Sequence, residues 1–371
     1  MLRLLRKILF QRNWKADSRE ARFRLREMAS ELERADGIYL PSKFWTDLNR
    51  INTAQLADAG FTNFKRTLNQ NYFNWGPNSF DDNQLRNLLG HWCKAPNPAP
   101  VLATLEGDYR LLNMFNQNML DTAERERIYA FFVGLLWWFA ASNDPDELTS
   151  KLSEPLIGNP LRIKLGSRLI SQDLANSIRE YNTIRQFAGA GANDGRRIVV
   201  AEIGAGYGRV GYVFLKASRC RYLIFDVPPA LYISERYLSA ALPEKKSFRF
   251  RAFKTFGEIE RELEAADVGF FTPNQIALFP PGYFDISLSI SALHEMRREQ
   301  IANFMGKMAE LSTKIIHVKN WRRWHNTSDD VLIDDTTFQL PDPWQVVLDR
   351  IDLVQDLFAE KVFVRGGRIA S

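Results

Sequence analysis

Cysteine and histidine are scarce in this chain, and no apolar run is long. The two cysteines, Cys93 and Cys220, stand far apart and form no CxxC pair. They exclude a disulfide framework and a cysteine-rich zinc site, and they suit a reducing compartment. Four histidines leave little room for a histidine-rich metal cluster. The longest apolar run, 128–141, falls short of the ~20 residues a spanning helix needs and reads as a buried core helix. The N-terminus is not expected to act as a secretory signal, because charge interrupts its short apolar run and no small-residue cleavage site follows. A cytoplasmic protein is the expectation. Repeats and low-complexity tracts are also missing.

What is present is unevenly placed. The net charge of +5 is modest. Yet residues 1–26 carry Arg3, Arg6, Lys7, Arg12, Lys15, Arg19, Arg22, Arg24 and Arg26 against only Asp17 and Glu20. Leu2, Leu5, Ile8 and Leu9 would share one face of a helix there. Such a basic, amphipathic opening is either a solvated helix on its own protein or a peripheral contact with an anionic inner membrane face. The length of 371 residues allows two domains. Residues 1–155 read as a mainly helical domain, a candidate for acceptor binding or oligomerisation. Helices are expected over 17–35, 102–119 and 122–142, with Ser42 as a cap and a loop at Pro96, Pro98 and Pro100. Phe61 to Trp75 mixes aromatic rings with amides and two cations, which suits either a sugar-stacking surface or an interdomain seam.

Residues 156–371 read as an α/β domain. A helix over 170–187 has a polar side fit to wall a pocket. From Ile198 onward, strands at 198–203, 221–225, 268–271, 283–289 and 314–318 alternate with helices. That alternation predicts a parallel sheet covered on both faces. Ligands of such sheets bind beyond the carboxyl ends of the strands. Glu202, Asp226, Asn274 and His294 all fall at such ends.

The stretch Glu202-Ile203-Gly204-Ala205-Gly206-Tyr207-Gly208 carries the strongest signal. A carboxylate ends a buried strand, glycines follow where the backbone must turn tightly or approach a ligand, and a helix opens at Arg209. Gly211 is expected to serve close packing of that helix on the sheet. Two cofactors compete for the turn. Gly206-x-Gly208-x-x-Gly211 with Asp226 matches the dinucleotide fingerprint. Glu202 and the Gly204-x-Gly206-x-Gly208 spacing instead suit the amino-acid end and adenosyl group of S-adenosylmethionine, with Asp226 on the ribose hydroxyls. The Tyr-x-x-x-Lys pair of a short-chain dehydrogenase occurs only at Tyr39/Lys43 and Tyr212/Lys216. Neither place reaches a nicotinamide, which favours S-adenosylmethionine.

The turn at 202–208 resembles motif I of the class I S-adenosylmethionine-dependent methyltransferases. Taken with Asn63 to Trp75, Gly158-Asn159-Pro160, Ser171 to Ser177, Asp226-Val227-Pro228-Pro229, Thr272-Pro273-Asn274-Gln275 and Leu293-His294-Glu295-Met296, it is similar to bacterial sugar O-methyltransferases associated with surface-polysaccharide biosynthesis. The likeness runs from about Tyr39 onward. It implies a Rossmann-like, doubly wound class I methyltransferase sheet behind a helical N-terminal domain, and methylation of a sugar hydroxyl, for instance on a glycan precursor. The amides Asn274 and Gln275 stand where the superfamily often has an acid, and would hydrogen-bond the adenine.

A sugar hydroxyl needs a general base, worth roughly 10²–10⁴-fold in rate. His294 is the candidate, with Glu295 orienting or stabilising its ring; the alternative is a capping histidine and a first-turn acid. His325 is the reserve base, and His317 is expected to pack within its strand. Asn320, Trp321 and Trp324 are candidates for the acceptor pocket. Asp329, Asp330, Asp334 and Asp335 raise a divalent metal, which is not favoured. The rival functions are an NAD(P)-dependent oxidoreductase, a nucleic-acid methyltransferase and a non-catalytic glycan- or membrane-associated protein. No nucleic-acid partner is expected, because the basic residues lack a regular aromatic interleave.

Overall fold

A computed structural model describes residues 19–67, 81–95, 122–188, 197–334 and 336–366. The expected apolar face at Leu2 to Leu9, most of the aromatic stretch through Trp75, the proline loop and the helix at 102–119 lie outside these residues.

The core is an eight-stranded sheet. Its strands in chain order are β3 (Ile198–Ile203), β4 (Cys220–Phe225), β5 (Ser247–Phe248), β6 (Val268–Phe271), β7 (Phe284–Ile290), β8 (Ser312–Trp321), β11 (Trp344–Ile351) and β12 (Phe358–Arg365). They lie side by side as β11-β12-β8-β7-β3-β4-β6-β5. The pairs from β5 to β8 are all parallel, and β12 runs against both β8 and β11. Two short hairpins stand apart: β1 (Ile163–Leu165) with β2 (Arg168–Ile170), and β9 (Trp324–Asn326) with β10 (Val331–Ile333). The strand order, the one reversed strand and the helices on both faces make this the Rossmann-like class I methyltransferase arrangement expected from the sequence.

Alternation along β3 divides the interior. Val199, Ala201 and Ile203 pack on one side with Ile301, Phe304 and Met308 of α8 (Arg298–Leu311). Val200 packs on the other side with Val213 of α6 (Arg209–Ala217) and Leu231 of α7 (Ala230–Ala241). Successive strand residues point to opposite faces, so Glu202 shares the second side with Val200. The near-continuous apolar run of β3 follows from this double cover.

The N-terminal region is helical as expected: α1 (19–33), α2 (Lys43–Ala59), α3 (Asp82–Cys93) and α4 (Thr122–Ala141). Among the described residues no helix is long and apolar enough to cross a membrane. Tyr129 and Phe132 of α4 belong to the same apolar cluster as Ile178 of α5 (Gln172–Ala188) and Tyr222 of β4, so buried contacts run without a break across residue 155.

The loop Gly158-Asn159-Pro160 has a structural task. Gly158 accepts from Lys65 N at 3.0 Å, and Asn159 donates from Nδ2 to Asn63 Oδ1 at 2.9 Å. Phe64 stacks on Phe61 with ring centroids 5.3 Å apart. The Lys65 ammonium pairs with buried Glu154 and lies 4.5 Å from the Tyr207 ring centroid. The described part of the aromatic stretch is therefore an internal seam, not an open sugar platform. Gly158 has φ +79°, and a Cβ there would meet the Phe64 ring at 2.3–2.9 Å. Gly158→Ala is expected to cost about 2–4 kcal/mol, combining left-handed strain with overpacking. Urea unfolding of the two proteins measures it.

Candidate active site

Beyond the carboxyl ends of β3 and β4 lies a cleft of about 1060 Å³, counting its open mouth. Its floor is the turn after β3. Glu202, Gly204 and Gly206 line it, together with Asp226 from the end of β4. Gly206 sits at φ +59° and donates its N–H to Asp226 Oδ2 at 2.8 Å. Val227 N adds a second bond to the same carboxylate at 2.7 Å. Gly208 faces Leu238 and Ile224 instead of the cleft, and Gly211 lies against the Tyr222 ring. The close helix packing expected of Gly211 is what its position shows.

Burial sets the charge state of the floor. It pushes Glu202 up to about 7, opposed by a hydrogen bond from the Tyr222 hydroxyl at 2.7 Å and by the Arg209 charge. Burial likewise pushes Asp226 up to about 7, against the backbone bonds that it accepts. Both carboxylates are thus poised near neutral pH to ionise in response to a donor or cation. Arg209, also on the cleft, is held by Glu180 at 2.6 Å and Ser177 at 2.9 Å, both from α5. Asp173, at the start of α5, lines the cleft and accepts from Tyr207 Oη at 2.9 Å. The polar side of α5 is the pocket wall that the sequence suggests: Asp173 is in contact with the space, and Ser177 and Glu180 support it through Arg209.

The opposite wall comes from far away in the chain. Tyr39, Leu40, Pro41, Ser42 and Trp45 cover the cleft. Five hydrogen bonds fix this roof. Gln300 Nε2 donates to Ile38 O at 2.9 Å and Leu40 O at 2.8 Å. Ser42 Oγ donates to Glu295 O at 2.9 Å. Asp329 accepts from Lys43 N at 2.9 Å and Phe44 N at 3.1 Å, at the free amino end of α2. No local pattern announced these residues as cleft-lining. The one available signal was Ser42, whose Oγ does accept from Trp45 N as a cap.

The other expected site residues are redistributed. Gln275 closes a capping box with Thr272, accepting from its N–H at 3.0 Å, and donates to Arg251 O. Asn274 donates to Glu31 of α1 at 3.1 Å. Pro273, and neither amide, lines the cleft. The Thr-x-x-Gln spacing is itself a capping-box signature and could have been read as one.

His294 is not a cleft-lining residue. Its ring is buried and stacks on Trp321 at 5.0 Å, and Nδ1 lies 3.0 Å from Asn320 Oδ1. Burial pushes it down to about 4, opposed by that hydrogen bond. Glu295 does line the cleft, and its Oε2 accepts from Trp45 Nε1 at 3.0 Å. Burial pushes its carboxyl well above the usual range; the Trp45 bond opposes this and the Asp226 charge adds to it. Asn320 and Trp321 hold His294 and do not reach the cleft themselves. His317 is buried in β8 on Glu360 at 2.9 Å, packed as expected. His325 is exposed and pairs with Asp330 at 3.0 Å. Asp329 caps α2 and Asp334 binds Thr336 and Thr337. Asp335 lies outside the described residues. Among the described residues no group of three His, Cys, Asp or Glu side chains is placed to hold a metal ion.

No family model matches the chain, and no curated protein does. Solved structures similar to it include magnesium protoporphyrin IX methyltransferase from Synechocystis with bound S-adenosylmethionine, at 11% identity and TM-score 0.34, over 53% of this chain and 85% of that one. The CurJ carbon methyltransferase aligns at 10% identity and TM-score 0.34, over 90% and 82%. The PH0226 protein from Pyrococcus horikoshii aligns at 10% identity and TM-score 0.37, over 53% and 92%. The fold assignment rests on the strand order alone.

Proposed function

We propose that the chain is an S-adenosylmethionine-dependent methyltransferase that O-methylates a sugar hydroxyl in surface-polysaccharide biosynthesis. One observation carries the choice of cofactor. Among the described residues, Asp173, Glu202, Asp226 and Glu295 line the cleft beside a single cation, Arg209, which Glu180 already pairs. A ligand with sulfonium and ammonium groups would ionise such acids and be held by them, whereas the pyrophosphate of a dinucleotide or a nucleic-acid backbone would gain nothing from them. Glu202 would hold the amino-acid end and Asp226 the ribose hydroxyls. The adenosyl group would lie along the cleft wall that Gly206 lines. The cofactor supplies an electrophilic methyl group; the chain's part is to hold the acceptor oxygen in line, within about 3–3.5 Å, and to remove its proton.

For the acceptor, the roof offers Tyr39 and Trp45 beside the Ser42 hydroxyl. Rings with polar tips suit a sugar, which presents apolar faces and a rim of hydroxyls. The resemblance of the chain from about Tyr39 onward to bacterial sugar O-methyltransferases supports the same reading. A cytoplasmic protein working on a glycan precursor fits it.

Calorimetry tests the cofactor. S-adenosylhomocysteine is expected to bind and NAD to give no heat. Binding of NAD without S-adenosylhomocysteine overturns the reading. Mass spectrometry of surface glycan from cells with and without the protein tests the acceptor, with loss of a single methyl increment from one sugar as the expected result.

A further inference from the structure

The proton-accepting group can be worked out from one side-chain amide. Asn320 Oδ1 accepts from Ala292 N at 3.2 Å and His294 N at 3.3 Å. Both are backbone donors, so the atom facing them is the amide oxygen. An oxygen cannot donate, so His294 Nδ1, which faces it at 3.0 Å, carries the ring proton. His294 Nε2 is then a bare lone pair. Glu295 Oε1 stands 3.7 Å from it, outside hydrogen-bond reach. Burial and the Asp226 charge favour the neutral acid for Glu295 in the free protein, against the bond its Oε2 accepts from Trp45 Nε1.

We propose that Glu295, and not His294, receives the acceptor's hydroxyl proton, and that it gives up its own proton beforehand when a cationic methyl donor enters the cleft. This rests on the methyltransferase reading above. Glu295 is the member of the pair that lines the cleft, whereas His294 has no face on it. The charged groups around Glu295 explain the switch. Asp226 stands across the cleft and raises its proton affinity. Asp173, Glu202 and Arg209 line the same space. Asp329 lies behind, linked through Asn326, whose Nδ2 is 3.2 Å from Asp329 Oδ2. A positive charge placed among these acids reverses the local field and ionises Glu295.

The chemistry then balances. A C–O bond forms to the acceptor oxygen and the C–S bond breaks, leaving its electron pair on sulfur. The acceptor's O–H proton goes to a Glu295 oxygen. The positive charge on sulfur disappears in the same event, so the proton affinity of Glu295 rises as the proton arrives. His294 is a positioning residue: Asn320 fixes its tautomer, and its ring, stacked on Trp321, backs the turn that carries Glu295.

The test needs no acceptor. Calorimetry of S-adenosylmethionine and S-adenosylhomocysteine binding, in two buffers of different ionisation enthalpy at pH 7.5, counts the protons released by each. The two ligands share the amino-acid and ribose groups and differ in charge at sulfur. S-adenosylmethionine is expected to release more, with the excess approaching about one proton per site. The excess should vanish in Glu295→Gln, which keeps an acceptor for Trp45 Nε1. It should persist in His294→Phe, which keeps a ring against Trp321. Equal release by the two ligands in the unaltered protein overturns the proposal. So does an excess that survives Glu295→Gln, or one that disappears only in His294→Phe. Failure of both ligands to bind rejects the methyltransferase reading itself, a distinct result.

Discussion

Gly206→Val is expected to lower affinity for S-adenosylhomocysteine at least about 100-fold, a loss of ~2.7 kcal/mol in binding. Two effects combine. Gly206 lines the cleft at φ +59°, where a β-branched residue is a steric outlier. Its new methyl groups would also stand in the space that the adenosyl group needs. Relaxing the backbone would move the Gly206 N–H away from Asp226, whose carboxylate it holds at 2.8 Å. Gly166 supplies the control. It has φ +60°, with open space where a Cβ would be, in the β1–β2 turn. Gly166→Val should show the backbone strain, about 1–3 kcal/mol of stability, without a change in affinity. Calorimetry and thermal unfolding on both variants separate the terms. Unchanged binding by Gly206→Val would remove the glycine turn from the cofactor site.

Lys319→Met is expected to cost about 3–5 kcal/mol of folding stability, the usual penalty for stripping one partner from a buried ion network. The Lys319 ammonium lies 2.9 Å from Asp352 Oδ2 and 3.3 Å from Glu180 Oε1, and all three side chains are buried. Asp352 keeps Arg179 and Glu180 keeps Arg209, so each carboxylate retains one partner and the protein should still fold. Acid resistance should fall as well. Burial would raise the Asp352 carboxyl, yet Arg179 and Lys319 hold it far below the usual range. Glu360 is held down to about 2, against burial, by the His317 bond and the charges of His317, Lys319 and Arg350. Groups depressed in this way contribute fully above their unfolded values near 4. That contribution fades as pH drops toward 2. With Lys319 gone, the acid-unfolding midpoint should move to higher pH. Urea titrations at pH 7 and a pH-unfolding curve measure both effects.

The central sheet was legible because its strands are buried on both faces. Ile198 to Ile203 announces itself as an apolar run broken only by Glu202, and Phe284 to Ile290 as apolar residues alternating with Asp285, Ser287 and Ser289. The last hairpin was not read at all. β11 is an outer edge strand with mostly exposed residues, so it lacks an apolar signature. β12 hides behind charge: Glu360 and Lys361 sit in its buried middle, neutralised by Arg350, His317 and Asp349. A local reading cannot supply partners that stand 10 to 43 residues away. The candidate site divides along the same line. The turn at 202–208 and Asp226 are a local motif and were found where they occur. The roof at 39–45 reaches Glu295 across about 250 residues of chain, and no periodicity carries that distance. His294 and Glu295 were both noticed, but their order relative to the cleft depends on how the turn folds over Asn320. The amides at 274–275 were over-read, because a helix cap and a ligand contact draw on the same polar side chains.

The roof has a consequence for synthesis. An emerging chain folds from its N-terminal side first, and residues 39–45, leading into α2, carry the cleft's upper wall early. Yet the amino end of that helix is completed only by Asp329, and the roof is tied down only by Gln300 and by Glu295. The cleft therefore has no closed form until nearly the whole sheet has left the ribosome. A nascent chain would expose Tyr39, Phe44 and Trp45 throughout that interval.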